Sequence, residues 1–168
     1  SEKIKSIKFE NDTNKIMLYT DQKRSFQRYS NLWKDINGKR IIEVQEGSRN
    51  ETEADYTLVH FYLPFDHEIT HGNLYVFGQI SDYGFPATHR MKYNSEDKLY
   101  EAKIYLKQGY YNYEYILLKN DGNAISSFIE GTHFETINDY NIYIYHRPSG
   151  EQYDQLIGKE KIISQGLF

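Results

Sequence analysis

Leu106-Lys107-Gln108-Gly109-Tyr110-Tyr111-Asn112-Tyr113-Glu114-Tyr115 is the stretch on which the fold of this chain turns. Tyrosine occupies every second position from Tyr111 to Tyr115, and Leu117 continues the series. A period of two marks a strand, whose successive side chains point to opposite faces. Tyr111, Tyr113, Tyr115 and Leu117 therefore share one face, and Tyr110, Asn112 and Glu114 share the other. The first set is expected in a core, where large rings pair across strands and each hydroxyl needs a partner or a route to water. The alternative for that set is a platform on which sugar rings or a partner's side chains stack.

The same grammar recurs outward from this stretch. Runs rich in β-branched and aromatic residues predict strands at Ile4–Phe9, Lys15–Thr20, Lys39–Gln45, Tyr56–Leu63, Asn73–Gln79, Leu99–Leu106, Tyr110–Leu118, Asn141–Arg147 and Leu156–Ile163. Thr57, Val59, Phe61 and Leu63 form one apolar face, Tyr100, Ala102, Ile104 and Leu106 another, and the two faces should meet in the core. Asn37-Gly38 and Asp121-Gly122 read as tight hairpin turns, and Gly109 as a further tight connection. The polar segment Gly47–Glu53 is a loop separating an N-terminal strand and hairpin portion, residues 1–50, from a main sandwich, residues 51–168, with both portions assigned to one domain. Strands at this spacing without helices between them point to an all-β antiparallel sandwich and not to a parallel sheet.

The bulk numbers agree. The chain has 168 residues, the size of one domain, and 17 of its aromatic residues are tyrosine, which suits a pleated, half-buried surface. The net charge of −4, with acids and bases mixed, provides no basic stripe for nucleic acid or an acidic membrane surface. The absence of cysteine removes disulfides, thiolate nucleophiles and thiolate metal sites. No apolar run reaches the roughly 18 residues needed to span a bilayer, and the opening Ser-Glu-Lys leads us to expect a piece of a longer chain.

His67-Glu68-Ile69-Thr70-His71 matches the H-E-x-x-H pattern of zinc proteases, in which a helix brings both imidazoles to one metal. Pro64 before it and Gly72 after it place the pentapeptide in a loop between strands, and Phe77 stands where a third histidine ligand would fall. No metal and no cofactor is expected. His60, His89, His133 and His146 are scattered singly, and carboxylate pairs such as Glu130 with Glu135 or Asp82 with Glu101 are expected by chance among 24 acids. Catalysis finds no motif here, and the expected activity is binding. Tyr83, Phe85, His89 and Tyr110 are the candidate contact residues.

Two family resemblances follow from particular pieces. Leu74-Tyr75-Val76-Phe77-Gly78, Ser81-Asp82-Tyr83, Met91, Tyr100-Glu101-Ala102 and Gly109-Tyr110-Tyr111-Asn112-Tyr113 resemble the immunoglobulin-like glycogen- and starch-binding modules over residues 70–120. Tyr83 stands where those modules carry tryptophan; the lone tryptophan is Trp33. A closer and nearly end-to-end resemblance is to the C-terminal domain of the type IX secretion plug protein family. It is carried by Asp35-Ile36-Asn37-Gly38, Ala54-Asp55-Tyr56, Val59-His60-Phe61, Met91-Lys92-Tyr93-Asn94, Leu106 to Tyr113, Ile129-Glu130-Gly131-Thr132-His133-Phe134-Glu135-Thr136 and Tyr153-Asp154-Gln155-Leu156-Ile157-Gly158. The chain departs from that pattern at Tyr83, and at Ile137, where an acidic residue is expected. The resemblance implies an immunoglobulin-like (E-set type) sandwich and a periplasmic protein associated with the outer membrane; a monomer is expected. Its implied partner is the outer-membrane translocon barrel, which it closes when no cargo passes; carbohydrate is the alternative ligand.

Overall fold

The fold is described from a computed structural model over residues 3–10, 13–26, 36, 38–43, 52, 54–132 and 139–163. The chain divides after Thr132 into two compact units, Ser1–Thr132 and His133–Phe168.

The first unit is sandwich-like. A five-stranded sheet runs in the order β1-β2-β4-β7-β6, with β1 Ile4–Glu10, β2 Thr13–Leu18, β4 Tyr56–Pro64, β6 Lys92–Asn94 and β7 Leu99–Lys107. A three-stranded sheet has the order β10-β9-β5, with β5 Gly72–Phe77, β9 Glu114–Lys119 and β10 Ala124–Ile125. A short ribbon pairs β3 Arg40–Ile42 with β8 Gly109–Tyr111. Three 3₁₀ turns, Arg24–Phe26, Gln79–Ser81 and Ala87–His89, and one helical turn, α1 Ser127–Glu130, complete the unit's described elements. Among the described residues no helix is long and apolar enough to cross a membrane.

The alternation read from β4 and β7 is what builds the core. The two strands are neighbours in one sheet, with Thr57 opposite Leu106, Val59 opposite Ile104, Phe61 opposite Ala102 and Leu63 opposite Tyr100. Directly opposed residues of an antiparallel pair point the same way, so the two predicted faces form one apolar surface. Leu74 and Val76 of β5 and Tyr115 and Leu117 of β9 join the same buried cluster from the second sheet. Ile80, Met91 and Ile129 close it.

Two details depart from the sequence reading. The Tyr110–Leu118 strand is interrupted, because β8 pairs with β3 while β9 pairs with β5. The break at Asn112 is where the chain changes partner, and the Asn112 N–H donates to the Lys39 carbonyl at 3.0 Å. Parity survives the break: Tyr115 is fully buried, and Tyr111 and Tyr113 pack against the core. The second departure is the pairing of β2 with β4, which is parallel, Ile16 lying beside Val59. The connection from Leu18 to Tyr56 is long enough for the crossover that parallel pairing requires.

The turns behave largely as their residues dictate. Gly122 (φ +86°) and Gly38 (φ +69°) adopt the left-handed backbone expected of them, while Asn37 and most of Gly47–Glu53 lie outside the described residues. Gly109 opens β8 with one residue between it and the end of β7, at the tight connection expected of it, and it also permits a close approach: a Cβ there would run into the Ile41 carbonyl oxygen across the ribbon.

The described residues of the second unit form an antiparallel hairpin, β11 Asp139–His146 and β12 Gln155–Ile163. Tyr140, Ile142, Ile144 and Ile162 are all exposed on it, as are Tyr143 and Tyr145.

Candidate interaction surface

β5 alternates like the other strands, so Leu74 and Val76 enter the core and Tyr75 and Phe77 point to the outer side of the small sheet. The segment from Gln79 to Arg90 returns over that outer side. Phe85 stacks on Phe77 with ring centroids 5.2 Å apart and meets Tyr75 edge-on at 5.3 Å. Tyr83 meets Phe77 edge-on at 6.1 Å and leaves 52% of its surface exposed. The result is a four-ring shelf whose outermost ring faces water.

The backbone that presents this ring is strained. Asp82 and Tyr83 both hold left-handed φ angles, 51° and 55°, a conformation that costs a residue bearing a Cβ about 1–2 kcal/mol. Several bonds hold it in place. The Tyr83 N–H donates to the Gly78 carbonyl at 2.9 Å, and the Gly84 N–H to the Ser81 carbonyl at 3.0 Å. The Arg40 guanidinium donates to the Gln79 carbonyl at 3.1 Å and lies 3.5 Å from the Asp82 carboxylate. The Gln79 N–H reaches the Gly38 carbonyl at 2.8 Å. Persistent strain in an over-determined loop is a mark of functional segments.

The four candidate residues take different places. Tyr83 and Phe85 are in the shelf. His89, in the same segment, is spent on structure: a carbonyl oxygen can only accept, so its Nε2–H donates to Ile80 O at 2.9 Å, leaving Nδ1 to accept from the Thr88 hydroxyl at 3.0 Å. Burial lowers its pKa and favours the neutral ring. Tyr110 lies apart from the three, on the β3–β8 ribbon opposite Ile41, and is partly exposed. The ribbon and the loop are joined through Gly38 and Arg40.

A second polar centre escaped the sequence reading. Asp21, just beyond β2, accepts hydrogen bonds from the Tyr113 and Tyr115 hydroxyls, both 2.7 Å from Oδ2. Lys3 Nζ lies 3.3 Å from its Oδ1 and Arg24 3.8 Å away. Arg24 also donates to Glu130 Oε2 at 3.2 Å and to the Tyr113 carbonyl at 3.2 Å, and Glu130 Oε1 accepts the Tyr115 N–H at 2.8 Å. Burial pushes the Asp21 carboxyl up, but Lys3, the Tyr113 hydroxyl, Arg24 and the Tyr115 hydroxyl outweigh it and hold it below its usual value. For Glu130 burial prevails over Arg24 and the Tyr115 N–H, and its pKa is raised. All four carboxylate oxygens are directed into this network, which ties the Arg24–Phe26 turn and α1 to β9. The sequence signal for it was indirect: buried tyrosine hydroxyls demand acceptors.

The remaining motifs find structural places. His67–His71 forms the β4–β5 connection, with His67 edge-on to Phe65 and His71 edge-on to Phe128. Among the described residues no group of three or more histidine or acidic side chains is arranged to hold a metal. Glu130 takes Arg24 as its partner; Glu135 lies outside the described residues, as do His133, Trp33 and Ile137. Asp82 pairs with Arg40, whereas Glu101 sits in β7 opposite Tyr62 and Lys92. His146 ends β11, exposed. His60 is buried on β4, its Nε2 without a hydrogen-bond partner. A pocket of about 170 Å³ lined by Glu68, Arg90, Met91, Tyr93 and Tyr100 is smaller than the roughly 300–1,000 Å³ of small-molecule sites.

Fold and surface together define an all-β, sandwich-like protein with an aromatic shelf on the outer face of its smaller sheet. No family model and no curated protein matches the chain. It is similar to a crystal structure of a hypothetical protein from Parabacteroides merdae, with a TM-score of 0.89 and 34% sequence identity. That likeness covers 98% of this chain, which spans 41% of the other.

Proposed function

We propose that this chain is a non-enzymatic protein-interaction domain, the C-terminal part of a plug-like protein that seals the outer-membrane type IX secretion translocon from the periplasm. In this reading unit one is an immunoglobulin-like E-set sandwich with an N-terminal hairpin extension. The observation that carries the interaction reading is the Asp82-Tyr83 loop, which keeps two residues in left-handed backbone to hold an exposed ring on the Phe77–Phe85 stack. A ring already immobilised loses little entropy when a partner covers it. Contrast with the charged interior supports binding over catalysis: the oxygens of Asp21 and Glu130 are engaged in internal contacts.

The partner in this proposal is the translocon barrel, with neither nucleic acid bound nor the bilayer entered. The greater length of the Parabacteroides merdae protein fits a domain that works within a larger molecule. The parent protein, affinity-isolated from the native cell envelope, should bring down an outer-membrane barrel, and Tyr83→Ala should reduce that recovery. Recovery of the parent from the cytoplasm, with no envelope partner, would sink the assignment.

A glycan-binding alternative is favoured by the same exposed Tyr83 ring, since a half-bare aromatic face suits a sugar. Maltooligosaccharide binding that disappears in Tyr83→Ala would select it; indifference to these sugars selects the protein partner.

A further inference from the structure

Four strands of six or more residues present an outer edge that pairs with no other described strand, β1, β5, β11 and β12; on β5 that edge is taken by an isolated bridge from Tyr75 to Arg90 and by the Met91 N–H on the Leu74 carbonyl at 2.8 Å. An open edge offers unpaired N–H and C=O groups to any passing chain, and proteins blunt such edges with charges, proline or bulges. β1 is blunted by Lys5 and Lys8. β12 carries Lys159-Glu160-Lys161, and Ile157 is an extra residue in its ladder, since Ile144 pairs with Gly158 and Tyr145 with Leu156. β11 has neither device. From Tyr140 to Tyr145 it reads Tyr-Asn-Ile-Tyr-Ile-Tyr, unbulged and without a charge, and all its side chains are exposed. A two-stranded hairpin alone is marginal in water, and further strands added to its edge would stabilise it.

We propose that a second copy of this chain supplies them: two β11 strands pair antiparallel about a twofold axis at Tyr143, giving a four-stranded sheet in the order β12-β11-β11-β12. A twofold pairing of this kind is self-complementary, and this register sets compatible residues opposite one another. Tyr143 faces the partner's Tyr143, Ile142 the partner's Ile144 and Asn141 the partner's Tyr145. At the ends of the pairing, Asp139 stays 2.8 Å from Lys161 in its own hairpin and Arg147, just beyond β11, stays on Asp154 at 2.8 Å, so no unpaired charge is brought into the seam. The same symmetry applied to β12 about Glu160 sets Glu160 against its own copy, which like-charge repulsion disfavours. The inference replaces the monomer expected from the sequence, and it stands independently of the translocon assignment.

The absence of cysteine makes the test direct. In sedimentation velocity the native chain should run as a dimer at about 100 μM and dissociate on dilution. Under mild oxidation Tyr143→Cys, opposite its own copy, should cross-link at least about tenfold faster than Lys159→Cys on the neighbouring strand, since a disulfide needs closely facing Cβ atoms. Ile144→Lys should yield a monomer whose Ser1–Thr132 unit melts as in the native chain. A monomer at the highest concentration, equal cross-linking at the two positions, or a dimer that survives Ile144→Lys would each overturn the proposal.

Discussion

Two tyrosine strands of this chain share one pattern and meet opposite fates. In the first unit Tyr111, Tyr113 and Tyr115 alternate along the stretch from β8 into β9, and Tyr115 retains 0% of its surface. In the second, Tyr143 and Tyr145 alternate along β11, and Tyr145 keeps 61%. Alternation makes both segments strands, and it does not decide burial. The difference lies in what faces them: β9 meets the apolar surface of β4 and β7, and the Tyr113 and Tyr115 hydroxyls find the Asp21 carboxylate. Among the described strands β11 pairs with β12 alone, and its Tyr143 and Tyr145 rings are exposed.

The sharpest way to break this contrast is to shorten one tyrosine from each strand. Tyr115→Ala should destabilise the first unit by about 3–5 kcal/mol, through both a cavity and orphaned polar groups. Tyr145→Ala, exposed, should change the monomer's stability by no more than about 0.5 kcal/mol. Urea unfolding followed for each unit reads both values, and equal losses would refute the distinction.

Next in size is the acceptor. Asp21→Ala takes the acceptor from the Tyr113 and Tyr115 hydroxyls and leaves Arg24 with Glu130 as its one carboxylate among the described residues, a loss of about 2–4 kcal/mol by denaturant titration. The exposed Asp139–Lys161 pair of the hairpin is the counterpart, and Lys161→Ala should cost at most about 1 kcal/mol in the same assay.

The acid limb offers a finer test. Asp21 is held below its usual 3.8, so its contribution is complete above that value and is lost as pH falls through the lower, folded pKa. His60, lowered from 6.5 by burial and then by Lys103, has the same sense: its contribution is full above 6.5 and fades as acid forces a proton onto it. Glu130 opposes them. Raised above 4.5, it favours the fold while protonated, and that contribution is lost as pH rises through its folded pKa. Urea midpoints measured from pH 7 down to pH 3 should therefore fall in the native chain. The fall should be shallower in His60→Gln from below pH 6.5, shallower in Asp21→Asn near and below pH 4, and steeper in Glu130→Gln. A native midpoint that rose towards acid would contradict these signs.

The smallest effect is expected where the surface is used for contact. Tyr83→Ala removes an exposed ring resting on Phe77, and its cost in thermal unfolding should be about 1 kcal/mol or less.

Most strands were legible in the sequence because period-two patterning leaves a mark in each of them. β4 and β7 show why: Val59, Phe61 and Leu63 face Ile104, Ala102 and Tyr100 in register, so two patterns describe one surface. β6 and β10, of three and two residues, are too short to show a period. The parallel β2–β4 pair was hidden because pairing direction depends on the connection and not on the strand's own residues. The shelf was half legible. Tyr83 and Phe85 stood out as loop aromatics, but their support by Phe77 depends on the segment folding back across β5, and the left-handed backbone at Asp82 and Tyr83 has no glycine to announce it. The Asp21–Arg24–Glu130 network was invisible, since Arg24 and Glu130 are 106 positions apart and nothing local distinguishes these carboxylates from the other acids.

Residue-resolved nitration of the native chain tests the central claim, that one tyrosine strand is packing and the other is surface. The phenolate is the reacting form, and the Tyr113 and Tyr115 hydroxyls have pKa values raised by burial and by neighbouring groups. Tyr115 and Tyr113 should stay unmodified until the first unit unfolds, while Tyr140 and Tyr145 react in the folded, diluted protein. Modification of Tyr115 at the rate of Tyr145 under native conditions would contradict the account.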